Sequence, residues 1–281
     1  MSNAKFSYAA QVNTPLKRCL IRAVEVATGR VHLERLYLDN QRAPKANESF
    51  WAACIRRLQL DVQFDPAALD KAPKTGPLVV IANHPYGVLD GLTITYLVEK
   101  IRQDFMILAS AVLVQAPEIQ PFTLPVDLSN RPEARDLNLA TRRKALAHLK
   151  NGGSLIIFPA GLISTAPDRL GRKQAIDPPW GTFTAQLIQR SQANVLPIFF
   201  SGQNSRMFQI VSHISRSLRL SLIFHEVKAR IKTCLPVAIG DVICYPELAS
   251  VGDNKTLIQE LRRRTYALGA VDARTCESIQ A

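Results

Sequence analysis

From about Asp61 onward, short apolar runs alternate with segments of helical periodicity. The runs are Leu78–Ala82, Phe105–Leu108, Phe122–Val126, Ser154–Phe158 and Val195–Phe200. Each has the length and near-continuous apolar character of a strand buried on both faces. The helical patterns lie near Val88–Ile101, Ala134–Lys150 and Thr182–Arg190. That alternation predicts an α/β fold, with a mostly parallel central sheet flanked by helices. Two later stretches, Ser217–Val227 and Ile231–Ile239, are candidates for further strands. A last helix is expected over Lys255–Leu268, with the Asp253 side chain as its cap.

Ahead of this region the pattern differs. Residues 1–60 read as an N-terminal basic helical segment, and residues 61–281 as the α/β domain. Leu16, Leu20, Ile21, Val24 and Ala27 recur at helical spacing, with Lys17, Arg18 and Arg22 between them. Phe50–Leu60 forms a second candidate helix, with Trp51 and Ile55 set against Arg56 and Arg57. Basic amphipathic helices of this kind suit a membrane surface. They equally suit a helical layer packed on the core.

Net charge sharpens that choice. A formal charge of +12 calls for a polyanionic partner, either nucleic acid or an anionic membrane surface. No nucleic-acid-binding signature is present, and basic residues do not interleave with aromatics in the single-strand manner. Charge alone leaves both partners open. No apolar run reaches the roughly 18 residues of a membrane span, and residues 1–15 lack the apolar core of a secretion signal. The five cysteines (Cys19, Cys54, Cys234, Cys244 and Cys276) form no close pair. That spacing argues against a disulfide framework or a zinc site and fits a reducing compartment. The expected location is cytoplasmic.

Three segments carry chemistry. In Asn83-His84-Pro85-Tyr86-Gly87-Val88-Leu89-Asp90-Gly91, a His sits at the carboxyl end of a strand, with an Asp at the start of the following helix. That edge of an open α/β sheet is where ligands bind. An Asp accepting from one ring nitrogen fixes the tautomer and leaves the other nitrogen free as a base. The same spacing also suits a structural pair that only finishes the helix N-terminus. The second segment is Gly152-Gly153-Ser154-Leu155-Ile156-Ile157-Phe158-Pro159-Ala160-Gly161-Leu162-Ile163-Ser164, a strand ending in a Pro-x-Gly turn. Such a turn either presents backbone N–H groups to an anion or is simply tight. The third, Val195–Phe200 followed by Ser201-Gly202-Gln203-Asn204-Ser205, is a strand with a central Pro197 and a polar turn.

Taken in order, the three segments resemble the motif set of the glycerolipid acyltransferases, which acylate glycerol 3-phosphate and lysophospholipids. The chain looks like a bacterial lysophospholipid or 1-acylglycerol-3-phosphate acyltransferase, of the branch with five residues between His and Asp. The resemblance covers roughly residues 75–240. It implies that His84 is the general base that deprotonates the acceptor hydroxyl as it attacks an acyl thioester, and that Asp90 orients His84. It further implies that Asn83, Gly87, Arg131, Phe158, Pro159, Gly161, Ser164 and Lys173 contact substrate. The donor would be acyl-CoA or acyl carrier protein and the acceptor a lysophospholipid, with no metal and no cofactor. A lipid acceptor makes an anionic membrane surface, not nucleic acid, the partner for the +12 charge, with the protein peripheral on the inner face of the cell membrane.

The chain departs from the family pattern at three points. The commoner spacing has four residues between His and Asp, and Gly87 is expected to absorb the fifth as a bulge. The usual Phe-Pro-Glu-Gly-Thr-Arg-Ser is here Phe158-Pro159-Ala160-Gly161-Leu162-Ile163-Ser164, without the Glu and Arg that handle a phosphate. A further phosphate-binding Arg is replaced by Leu128. Arg131, Arg135, Arg172 and Lys173 are the candidates to compensate. Two other functions fit the same residues, a non-catalytic lipid-binding module and a thioester hydrolase.

Overall fold

The structure, a computed structural model, describes residues 15–110, 116–127 and 132–279. Three helices come first: α1 (Pro15–Thr28), α2 (Arg30–Arg42) and α3 (Phe50–Leu58). Next are β1 (Asp61–Gln63), α4 (Pro66–Asp70), β2 (Leu78–Ala82), α5 (Val88–Glu99), β3 (Phe105–Ser110) and β4 (Thr123–Val126). The chain continues through α6 (Pro132–Lys150), β5 (Ser154–Ile157), α7 (Phe183–Ser191) and β6 (Asn194–Phe200). It ends with α8 (Arg206–Ser212), α9 (Arg216–Ser221), α10 (Ile223–Ala229), β7 (Cys234–Ile239), α11 (Tyr245–Ala249) and α12 (Asn254–Ile279).

The strands form one seven-stranded sheet in the order β1-β7-β6-β2-β5-β3-β4. Every pairing is parallel except β6 with β7. The expected mostly parallel sheet is what the chain builds. Its centre, β2, has all five residues buried, because helices cover both faces. Side chains alternate across the sheet. Val79 and Ile81 pack with Leu155, Leu149, Leu187, Leu257 and Leu261 on the side of α6, α7 and α12. Leu78, Val80 and Ala82 pack with Ile94, Leu97, Val98 and Trp51 on the side of α3 and α5. Trp51 thus draws the N-terminal helices into the core, while the basic Arg56 pairs with Glu48 at the surface.

Two sequence expectations change. Ser217–Val227 is not a strand but the helices α9 and α10. Ser215 caps α9 by accepting from Leu218 N–H, and Ile223, Phe224 and Val227 bury at helical spacing. Strand β1 was unforeseen, because three residues beside polar flanks show no periodicity. The expected cap on the last helix is present: Asp253 Oδ1 accepts from Thr256 N–H at 2.8 Å.

Candidate active site

The chain leaves β2 at the carboxyl edge of the sheet and turns into α5 within a few residues. Asn83 makes that exit rigid. Its amide oxygen accepts from Phe200 N–H at 2.7 Å and its amide nitrogen donates to Phe200 C=O at 3.0 Å, clamping β2 to the end of β6. With both ends of the amide engaged in this way and only 3% exposed, Asn83 positions the turn. Gly87 closes the turn at φ 79°, a region open to glycine, which is how the fifth residue between His and Asp is accommodated.

The turn folds around the Asp90 carboxylate. Its Oδ2 accepts from Tyr86 N–H and Gly87 N–H, both at 2.8 Å, and lies 3.0 Å from His84 Nδ1. With two backbone donors on that oxygen, the imidazole contact is short but off-axis. Catalytic hydrogen bonds in unliganded sites are commonly loose in this way and tighten on substrate. Asp90 is fully buried, and Oδ1 has no hydrogen-bond partner. Burial pushes its carboxyl above the ordinary range, opposed by His84 and by the two N–H groups. The His84 ring stacks on Phe158, with centroids 4.1 Å apart, and keeps partial solvent access. With Nδ1 facing Asp90, the other ring nitrogen is the one left for chemistry.

The second segment arrives at the same edge on β5. Phe158 forms one wall, against His84. Pro159 is buried and its carbonyl accepts from Gly181 N–H, while Gly161 makes a tight turn back to Phe158 C=O at 2.9 Å. Ser164 is also buried. Its N–H donates to His84 C=O at 2.8 Å, and its hydroxyl donates to Asp177 Oδ1. The N–H groups of Gly161 and Ser164 are therefore internal and do not serve the anion role that the turn suggested. Ser164 braces the His84 turn and, like Asn83, holds the site in place. Lys173, with Arg172, lies on an exposed loop whose backbone is pinned by Asp168: both N–H groups donate to that carboxylate. Arg135 is exposed on α6. Arg131 and Leu128 lie outside the described residues.

One residue was missed. Asp177, in the loop before α7, is 1% exposed. Its Oδ1 accepts from His84 N–H at 3.1 Å as well as from Ser164, and its Oδ2 accepts from Trp180 Nε1 at 2.8 Å. Its own N–H donates to the Tyr266 hydroxyl at 2.8 Å and its C=O accepts from Arg262 at 2.9 Å. Asp177 thus ties the His84 turn and the Phe158–Ser164 turn together through its side chain, and joins both to α12 through its backbone. The cue in the sequence is slight: an Asp followed by two prolines and a Trp, in a stretch with no periodicity.

An imidazole beside a buried carboxylate at the carboxyl edge of a mostly parallel sheet, walled by an aromatic ring, is an arrangement with the chemistry of a general base. Among the described residues, no cluster of His, Cys, Asp or Glu could hold a metal ion. The chain belongs to the acyltransferase family, whose family model matches residues 34–273. It is similar to a lyso-glycine lipid O-acyltransferase of Bacteroides thetaiotaomicron, 26% identical over 182 residues, covering 64% of this chain and 62% of the relative. It is likewise similar to one of Phocaeicola vulgatus, 26% identical over 176 residues, with 62% and 59% covered. The match thus spans about three fifths of each relative's length. The fold is similar to the crystal structure of the 1-acyl-sn-glycerophosphate acyltransferase of Thermotoga maritima, at a TM-score of 0.50 and 15% identity, over 94% of this chain and 86% of that one.

Proposed function

We propose that this protein transfers a fatty acyl group from a thioester to the hydroxyl of a lysolipid, with His84 as base. The observation that carries the reading is the 3.0 Å approach of His84 Nδ1 to the buried Asp90 carboxylate, at the edge that also holds Phe158. The free ring nitrogen takes the hydroxyl proton as the oxygen attacks the thioester carbonyl. The tetrahedral intermediate collapses, the carbon–sulfur bond breaks, and the proton passes from the imidazolium to the leaving thiolate. Asp90 stabilises the imidazolium while that proton is held. Acyl-CoA or acyl carrier protein serves as donor.

For the acceptor, we favour a lysolipid with an amino-acid headgroup over the 1-acylglycerol 3-phosphate expected from sequence. The two relatives are named for lyso-glycine lipid, and the turn Phe158–Ser164 carries Ala160, Leu162 and Ile163 where a phosphate site needs charged groups. The site then acts in membrane lipid synthesis, with the protein peripheral on the cytoplasmic face.

The test is acyl transfer by purified protein to a panel containing lyso-glycine lipid and 1-acylglycerol 3-phosphate, from acyl-CoA and from acyl carrier protein. His84→Ala should lower transfer by about 10²–10⁴-fold. Equal transfer by the variant would refute the mechanism. Thiol release at an unchanged rate without any lysolipid would instead indicate a thioester hydrolase, and tight lipid binding without turnover a binding module.

A further inference from the structure

Among the described residues, large apolar side chains left in solvent are few, and most of them share one place. Of Val26, Leu139, Leu162, Leu170, Ile176, Met207 and Ile214, five belong either to the loop after Gly161 or to α8 and the turn that follows it. Ile214 is 72% exposed, Leu170 51% and Ile176 45%.

The two segments are one surface. Arg206 Nε donates to Leu170 C=O at 2.9 Å, Gln209 Oε1 accepts from Ala166 N–H at 2.9 Å, and a His213 ring nitrogen lies 2.9 Å from Ala166 C=O. Thr165 and Ile176 pair their backbones, which folds the loop back on itself. The surface adjoins the catalytic turn. Ser164 N–H donates to His84 C=O, and the Gly87 position lies against Ile163. Its neighbour α9 packs beside α1, where Arg22 and Val26 are exposed.

Its charge is one-sided. Arg169, Arg172, Lys173 and Arg206 are exposed among the apolar residues. The acidic group in these segments, Asp168, has its carboxylate engaged by the backbone N–H groups of Arg172 and Lys173 and is outnumbered four to one by the cations. Apolar side chains ringed by cations suit an anionic bilayer, whose surface attracts each Lys or Arg and whose acyl region takes up the apolar groups. A scattered exposed Leu means nothing, but a cluster at the mouth of a site does. No described helix is long and apolar enough to cross a membrane, so contact of this surface kind is what the described fold offers.

We propose that the 162–176 loop and the 206–214 segment form a membrane-docking surface beside His84, seated in the headgroup region of an anionic bilayer, with α1 at its margin. The inference rests on the lipid-acceptor reading above and goes beyond it by assigning the face that meets the lipid. A lysolipid would then pass from bilayer to His84 without crossing water, and the apolar Leu162 would stand at the point of entry.

The test is flotation of the full-length protein with vesicles, either phosphatidylcholine alone or phosphatidylcholine with one third phosphatidylglycerol. The combined variant Leu170→Ser, Ile176→Ser, Ile214→Ser should bind the anionic vesicles at least about 30-fold more weakly than the wild type. Leu139→Ser, equally exposed but on α6 across the sheet, should bind as the wild type does. Ile214→Trp should bind more tightly, with its emission shifted to the blue by anionic vesicles. Equal binding by the wild type and the triple variant, or an unmoved Ile214→Trp emission, would overturn the proposal. So would self-association without vesicle binding that the same substitutions abolish, which would make this face an interface between copies. Binding is read without turnover, so loss of transfer in His84→Ala with normal flotation separates the catalytic reading from this one.

Discussion

Replacing Asp177 tests whether the catalytic turn is held from behind. Its carboxylate receives three donors, His84 N–H, Ser164 hydroxyl and Trp180 Nε1–H, in a place closed to solvent. Asp177→Asn keeps the shape but supplies one acceptor oxygen instead of two. With that oxygen toward Trp180, the His84 N–H faces an NH2 group. With it toward His84, the Trp180 N–H does. Either way at least one buried donor loses its partner, at a cost of about 1–3 kcal/mol. Asp177→Ala leaves all three unpartnered and opens a void, which costs about 3–6 kcal/mol. Against a total stability of about 5–15 kcal/mol, the alanine variant is at risk of unfolding and the asparagine variant is not. The functional cost comes through geometry. Asp177 contacts the His84 backbone, so a shift of that backbone moves the ring relative to Asp90 and Phe158, and a misplacement of about 1 Å costs on the order of 10²-fold. Asp177→Asn should therefore lower kcat by about 10–100-fold with little change in KM for the thioester, and should lower Tm by about 2–4 °C per kcal/mol lost. Trp180→Phe removes the competing donor, so the double variant should be less destabilised than the sum of the singles. An Asp177→Asn protein with wild-type Tm and wild-type kcat would refute the bracing role.

Asp90→Asn should abolish most transfer yet not destabilise the protein at neutral pH. Burial raises the Asp90 carboxyl above its unfolded value of 3.8, so its favourable contribution is complete below that pH and is lost as pH rises; the variant's relative stability should grow with pH in denaturant titrations. Gly87→Ala should cost more than about 1 kcal/mol, because φ is 79° and a Cβ there would come within 2.7 Å of Ile163 Cδ1; shortening Ile163 to Val in the same protein relieves the contact but not the backbone strain, so urea midpoints should recover only in part. Glu260, between Arg263 and Arg264, is held down to about 2 by those two guanidinium groups. Its contribution is full above its ordinary 4.5 and is lost as pH falls toward 2, so Glu260→Gln should flatten the acid limb of the stability curve over that window, with the difference shrinking in 1 M salt.

Much of the fold was legible because β2, β5 and β6 are covered on both faces, and burial on both faces writes a continuous apolar run. The His84–Asp90 pair was legible because a polar turn interrupts such a run at the carboxyl end. What escaped was decided by contacts between distant residues. Ser217–Val227 has an apolar count that suits strand or helix, and the choice is made by the Ser215 cap and by Glu226, whose carboxylate bonds Ser205 across the fold. Asn83 precedes His84 and Ser164 ends the turn that the resemblance assigns to substrate, but the structural bonds each makes were not legible. Their partners, Phe200 and Asp177, are 117 and 13 residues away, and no local pattern announces either pairing.

The departures at Ala160, Leu162 and Ile163 are best read together with the surface they adjoin. A phosphate site would place Glu and Arg at the top of this turn, and each would need water or an opposite charge there. Here Ile163 is buried against Gly87, in the cluster that also holds Tyr86 and Leu89, while Leu162 is exposed at the rim. The same substitutions that remove phosphate handling thus extend an apolar surface from the catalytic turn outward. If the acceptor carried a phosphate, that surface would set an apolar rim where the headgroup enters, and desolvating the anion there would weaken binding. A headgroup with a single carboxylate carries less charge to desolvate and meets a smaller penalty. Restoring the charged pattern with Ala160→Glu and Ile163→Arg should therefore not create 1-acylglycerol 3-phosphate activity, because the buried Ile163 position would force an unpaired guanidinium into the cluster behind His84. Stable expression of that double variant with a gain of phosphate-acceptor turnover would show that the apolar turn is incidental.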